Sequence, residues 1–199
     1  MGYSVILDIL GSIVISGMLM LILLRLNDAT IENTYISSGD LTVQQNLTTV
    51  VQIIEHDFRK IGYCADWENI PDPTKSIIYA DAHRIKFLTD ENNDKTVDVM
   101  DYYIGPASEL KDTPNPRDRY LYRLLNNEPP VSTNMGITQF DLKYFDVFNN
   151  EIPSPVTVPG EIHTIQINIT VEDPAAYDEK YNTVFWRQIR LAARNLRNR

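Results

Sequence analysis

Residues Tyr3 to Leu24 read YSVILDILGSIVISGMLMLILL, and Asp8 is the single charged side chain between Met1 and Leu24. These 22 residues would make ~33 Å of α-helix, enough to match a hydrocarbon core of ~30 Å. A cleaved secretory signal would want a basic segment before the run and small residues after it. Nothing basic precedes this run, and Arg25-Leu26-Asn27-Asp28 follows it, so a retained apolar helix is expected. Asp8 stands near its N-terminal end. A carboxylate there either reaches the interface or neutralises a positive group on a neighbouring subunit. Gly11, Ser12, Ser16 and Gly17 are small enough to allow close approach of a second helix.

The helix pattern continues past Leu24. No Pro occurs between Arg25 and Gly62, and Leu47, Val51, Ile54, Phe58 and Ile61 mark one apolar stripe. Ser38-Gly39 weakens the middle of this run. After Gly62 the period changes to two. Strands are expected over Ser76–Ala80, His83–Thr89, Thr96–Ile104, Arg119–Leu125, Ile137–Phe148, Glu161–Val171 and Val184–Ala193. Pro- and Asn-rich loops such as Pro114-Asn115-Pro116 and Pro153-Ser154-Pro155 separate them. The fold class is therefore α+β. A long N-terminal helix, apolar in its first half, packs its second half on a meandering antiparallel sheet. The expected divisions are 1–27 for the apolar helix, 28–62 for the amphipathic helix and 63–199 for a β-rich head with a basic tail.

The 199 residues suit one ordinary domain plus an extra element. Net charge is −9, which disfavours nucleic acid as a partner. The charge is uneven: residues 1–186 carry −14, whereas Arg187 to Arg199 hold five Arg and no acid. Arg187, Arg190 and Arg194 recur at a spacing that could form a basic stripe against an acidic neighbour. A solvated last strand with a frayed basic end is the plainer alternative. The lone Cys64 cannot form an intramolecular disulfide. Nucleophile-elbow, dinucleotide, phosphate-loop and zinc-protease motifs are all missing, so neither catalysis nor a cofactor is expected.

Asp90, Asn92, Asp94, Thr96, Asp98 and Asp101 fall at the liganding positions of an EF-hand-like count. The glycine position of that count holds Lys95, and its last position holds Asp instead of Glu. A hairpin turn through Asn92-Asn93-Asp94-Lys95 is the favoured reading, with Asp90, Asn92, Asp94 and Asp98 kept as a weak calcium candidate. The many tyrosines, Tyr102-Tyr103 and Tyr120-Leu121-Tyr122 among them, suit core and cross-strand positions.

Several stretches together resemble the type IV pilins and type II secretion pseudopilins, closest to W-type minor pilins and J-type pseudopilins. Val50-Val51-Gln52-Ile53-Ile54-Glu55-His56-Asp57-Phe58-Arg59-Lys60-Ile61-Gly62-Tyr63 resembles the family's helix end of apolar pair, Asp, Arg and Gly-Tyr. Arg84 to Asp94 resembles its strand and Asp/Asn hairpin, and Val97 to Tyr103 the partner strand. Leu121-Tyr122-Arg123, Phe140 to Asp146, and Ile189 to Leu196 resemble later strands, in the family's order. At the start, Met1-Gly2-Tyr3-Ser4-Val5-Ile6-Leu7-Asp8 echoes Gly-Phe-Thr-Leu-Ile-Glu. The basic leader is missing, and the carboxylate falls one place late.

The resemblance implies a structural subunit of a pilus-like filament or pseudopilus. Its helices would bundle through Asp8, Ile9, Ile13, Met20 and Leu24, with Arg187, Arg190 and Arg194 at contacts between subunits. It implies copies of this chain and other pilins as partners, and an inner-membrane location before assembly. An extracellular or periplasmic filament on the cell envelope would follow. The alternatives are a single-span membrane protein with a partner-binding β domain, and a low-copy minor pilin at a filament tip.

Overall fold

The computed structural model describes residues 2–126, 128–174 and 183–191, apart from the side chains of Thr133, Phe185 and 187–191. Among the described residues one α-helix, α1 (Gly2–Arg59), is followed by nine strands. These are β1 (Ile77–Asp81), β2 (Arg84–Thr89), β3 (Asp98–Ile104), β4 (Leu121–Leu125), β5 (Val131–Thr133), β6 (Ile137–Phe145), β7 (Glu151–Ile152), β8 (Thr164–Glu172) and β9 (Thr183–Leu191). The α+β class, with a long apolar N-terminal helix and antiparallel sheets, is as the sequence indicates and is consistent with a pilin-like architecture. The chain divides into two compact units, Met1–Gly39 and Asp40–Arg199.

From Gly2 onward the first unit is helix. Apolar side chains surround it on all sides as far as Leu24, and every residue from Gly2 to Ile31 is exposed. The segment is long and apolar enough to cross a membrane. Helical backbone continues through Ser38 and Gly39, where the sequence suggests a weak point.

In the second unit, the end of α1 lays one face on the sheets. Val43, Leu47, Val50, Ile54, Phe58 and Ile61 are buried. Val50 takes the deep position that the sequence pattern gives to Val51, which lies at the edge of the stripe and is partly buried. The Phe58 ring meets Phe87 and Tyr102 at centroid distances of 5.6 Å each. The helix stops at Arg59, short of Gly62. Gly62 has φ +72°, a left-handed conformation that a side chain disfavours, and its N–H leaves the helix to donate to Leu88 O at 2.9 Å.

The sequence pattern suggests one sheet, but the chain forms two. The first has the order β1-β2-β3-β4-β5 and the second β7-β6-β8-β9. The switch occurs at Gly136, between β5 and β6. Its φ is +70°, and a Cβ there would stand 2.1 Å from Glu172 O, so only glycine fits this close crossing. The chain then pairs with β8, and the sheets join edge to core. Leu142 N–H donates to Ala82 O at 2.8 Å, Val156 N–H to Ala80 O at 2.9 Å, and the Tyr144 hydroxyl to Asp81 O at 2.8 Å.

The seven expected strands are present with shifted ends. β6 stops at Phe145 because Asp146 begins a turn, and the expected end of the last strand, Ala193, lies outside the described residues. The phase step around Ile162 has a simple origin. That residue precedes β8; within the strand Ile165, Ile167, Ile169 and Val171 are buried with Asn168 and Thr170 less buried between them, while Gln166 is buried as well. In β6 a register shift between Ile137 and Gln139 keeps Ile137 and Phe140 on the buried side.

Candidate functional site

Two features of the chain need an account beyond folding: the uncovered apolar helix, and a charged cluster inside the second unit. On the helix, Ile9, Ile13, Met20 and Leu24 lie on one face, all exposed. Asp8 is also exposed and lies on a different face, with Ser4, Gly11 and Ser12 at helical spacing. Among the described residues no ion pair to Asp8 forms. A Cβ added at Gly11 or Gly17 would meet nothing within 4 Å, so packing within the chain does not require either glycine.

The charged cluster lies where α1 ends. Asp57 is 3% exposed and projects from the apolar stripe, one residue before Phe58. Its Oδ2 accepts from the Tyr102 hydroxyl at 2.5 Å and from Arg123 Nε at 2.6 Å. His56 Nδ1 lies 3.1 Å from Oδ1, and Arg123 Nη2 continues to Glu91 Oε1 at 3.3 Å. Burial pushes the Asp57 carboxyl up. The hydrogen bonds from Arg123, Tyr102 and His56, with the guanidinium charge, outweigh burial and hold the group below the ordinary aspartate range. Burial and the neighbouring carboxylate push the Tyr102 phenol well up, so it remains a donor. The cluster thus ties α1 to β3 and β4. Its parts are individually visible in the sequence, in the helix-end motif and in Leu121-Tyr122-Arg123. What linear reading misses is that Asp57 and Arg123 are partners; an acid on an apolar stripe is the signal that could have found them.

The acidic run after β2 forms a turn. Asn93 and Lys95 have φ 61° and 71°, and Asp90 accepts N–H groups of Ala65, Asp94 and Lys95 at 3.0, 3.1 and 3.1 Å. Asp94 Oδ1 accepts from the Thr96 N–H at 2.7 Å and from its hydroxyl, and its other oxygen from Asn92 Nδ2 at 2.9 Å. Asp98 binds the Glu91 N–H at 3.1 Å and Asn126 Nδ2 at 2.8 Å. Asp101 instead holds Arg84 through both Nε and Nη2. The carboxylates thus face donors of the chain, and among the described residues no three His, Cys, Asp or Glu side chains are placed to share a metal. Arg187 and Arg190 lie in β9, but their side chains, like all of Arg194, are outside the described residues. Of the tyrosines, Tyr102 is core, and Tyr103 and Tyr122 stack across β3 and β4 at 4.8 Å.

Two further acids mark a second polar centre. Asp118 is fully buried, and neither of its carboxylate oxygens finds a hydrogen-bond partner among the described residues. Burial, with the nearby charges of Glu172 and Asp173, pushes it up to about 6. Glu172 itself is paired, by Arg117 Nη2 at 2.8 Å and by Asn115 Nδ2 at 2.9 Å.

No protein-family model, curated protein or solved structure matches the chain. What is firm on these observations is the class: an α+β protein carrying a helix able to cross a membrane.

Proposed function

We propose that the chain is a structural subunit of a type IV pilus-like extracellular filament or pseudopilus, assembling through its N-terminal helix. The observation that carries this reading is the 30-residue stretch Gly2–Ile31, apolar over most of its length and uncovered by anything in its own unit. Out of water each buried Leu, Ile or Met side chain contributes about 1.5–3 kcal/mol, so Ile9, Ile13, Met20 and Leu24 together form a substantial seam. Within a bilayer that term is already satisfied, and association must come from close packing and polar pairing. Gly11 and Gly17 permit the first. Asp8 supplies the second by meeting a cation on a neighbouring copy, which selects the register.

The subunit would reside in the inner membrane of the cell envelope before assembly and in an extracellular or periplasmic filament afterwards. Its partners would be copies of itself and other pilins. The β-rich unit would form the outer coat, with the basic run from Arg187 contacting an acidic neighbour. The order of pilin-like stretches along the chain supports the same reading. Sedimentation of the full chain after detergent removal tests it. Wild type should pellet as an ordered polymer, and Ile13→Arg, which places a charge in the seam, should not.

A further inference from the structure

Arg84, Arg117, Arg119 and Arg123 lie in the strands and adjoining loops of the second unit, and all but Arg119 give Nε to a carboxylate. Arg84 donates through Nε and Nη2 to the two oxygens of Asp101 at 3.1 and 2.7 Å. Arg117 holds Glu172 Oε2 through Nε at 2.9 Å and Nη2 at 2.8 Å. Arg123 gives Nε to Asp57 at 2.6 Å and Nη2 to Glu91 at 3.3 Å. Arg119 differs. Its Nε is buried without a hydrogen-bond partner, and among the described residues no ion pair to Arg119 forms. A donor taken out of water without an acceptor is costly, and the edge formed by Nε and Nη2 matches the two oxygens of a carboxylate.

Arg119 lines a cleft of about 320 Å³ where the first sheet meets β6. The walls are pinned by backbone contacts. Arg119 N–H donates to Ile137 O at 2.8 Å, Ile104 N–H donates to His83 O at 3.3 Å, and His83 Nδ1 lies 3.0 Å from Phe140 O. Thr138 lines the same cleft. Ile137 pairs with Val171 and Gln139 with Thr170, so Thr138 is the extra residue of a bulge. A bulge re-aims a side chain, and here it brings a hydroxyl to the cleft that holds Arg119. The acid of the cleft, Asp141, leaves the Arg119 edge unfilled. Its Oδ1 lies 3.1 Å from His83 Nδ1, and its Oδ2 accepts from Gln139 Nε2 at 2.5 Å. It also limits what can enter, because its charge repels a dianion more than a monoanion.

We infer that this cleft binds a small monocarboxylate, with its two oxygens on Nε and Nη2 of Arg119 and the Thr138 hydroxyl as a further donor. Ligand sites span roughly 300–1,000 Å³, and a cleft at the lower end of that range suits a group of few atoms. The carboxylate is either free in solution or carried by a side chain of a neighbouring copy. The chemistry that recognises it is the same.

The test follows the Arg119 Nε–H and Thr138 backbone N–H resonances of the full chain, dispersed as single copies in detergent. Sodium acetate, titrated against sodium chloride at equal ionic strength, should shift both saturably. Arg119→Lys keeps the charge and loses the planar edge, so the midpoint read at Thr138 should rise at least ~10-fold. Asp141→Asn should lower the midpoint ~3-fold, a gain that misfolding does not produce. No saturable shift in wild type, or an Arg119→Lys midpoint equal to that of wild type, overturns the site and leaves Nε to water. The same titration of polymer pelleted after detergent removal, read by solid-state resonance, separates the two sources. Acetate binding that persists there identifies a free ligand, and binding lost on assembly identifies the carboxylate of a neighbouring copy. The dispersed measurement does not use the filament reading, so either can fail without the other.

Discussion

Asp57 at the end of α1 and Arg123 in β4 are 66 residues apart in sequence and 2.6 Å apart in the fold, with Asp57 almost wholly buried. Tyr102 shares the same carboxylate oxygen, so one acid fastens the helix to two strands. Removing one member leaves an uncompensated charge in the core, which typically costs about 3–5 kcal/mol. Asp57→Ala and Arg123→Ala should each destabilise the second unit by ~3 kcal/mol in urea unfolding, the lower end reflecting the partial exposure of Arg123. The double variant should lose clearly less than the sum. Additive losses would mean that the two residues act independently.

The cluster also sets a response to acid. The Asp57 carboxyl is held below its unfolded range, so its contribution is present above the unfolded value of 3.8 and is lost as pH falls through the folded one. Asp118 has the opposite sign. Its folded value of about 6 lies above 3.8, so its share of stability is full below 3.8 and lost as pH rises through about 6. Asp118→Asn should therefore raise stability at pH 7, by about 2–3 kcal/mol, and leave it nearly unchanged near pH 3.5. Equal unfolding midpoints for variant and wild type at pH 7 would show that Asp118 is not buried as a strained acid.

The turn after β2 gives a third expectation. Asp90 is the common acceptor of three backbone N–H groups, so Asp90→Ala should cost about 2 kcal/mol through the donors it strands. Calcium should not shift the melting temperature of the wild type, because the carboxylates already face donors of the chain. A calcium-dependent rise in Tm that Asp90→Ala removes would restore the metal reading.

Period and composition make the long helix and seven of the strands legible, since an apolar run of helical length and clean alternation at Ile165 to Val171 each admit few other structures. β5 and β7, with three and two residues, are too short to show a period. The division into two sheets depends on which strand β6 meets after Gly136, a long-range choice that no local pattern encodes. Assembly residues on the helix are nameable from sequence because a face follows from spacing. The Asp57–Arg123 pair depends on distant parts of the chain, so the sequence shows its members without their relation.

Asp8 separates register from assembly. If it pairs with a cation on a neighbour, Asp8→Ala should still give filaments, formed more slowly and with poorer order by electron microscopy. Unchanged order and rate would remove its role in register.

The central claim is that neighbouring copies pack through residues 3–24. Electron microscopy of the full chain after detergent removal, with helical reconstruction, tests it most directly. The expected result is a fibre whose core is a bundle of these helices, lost when residues 1–27 are deleted. Isolated particles each holding a single helix, or fibres that persist after the deletion, would contradict it.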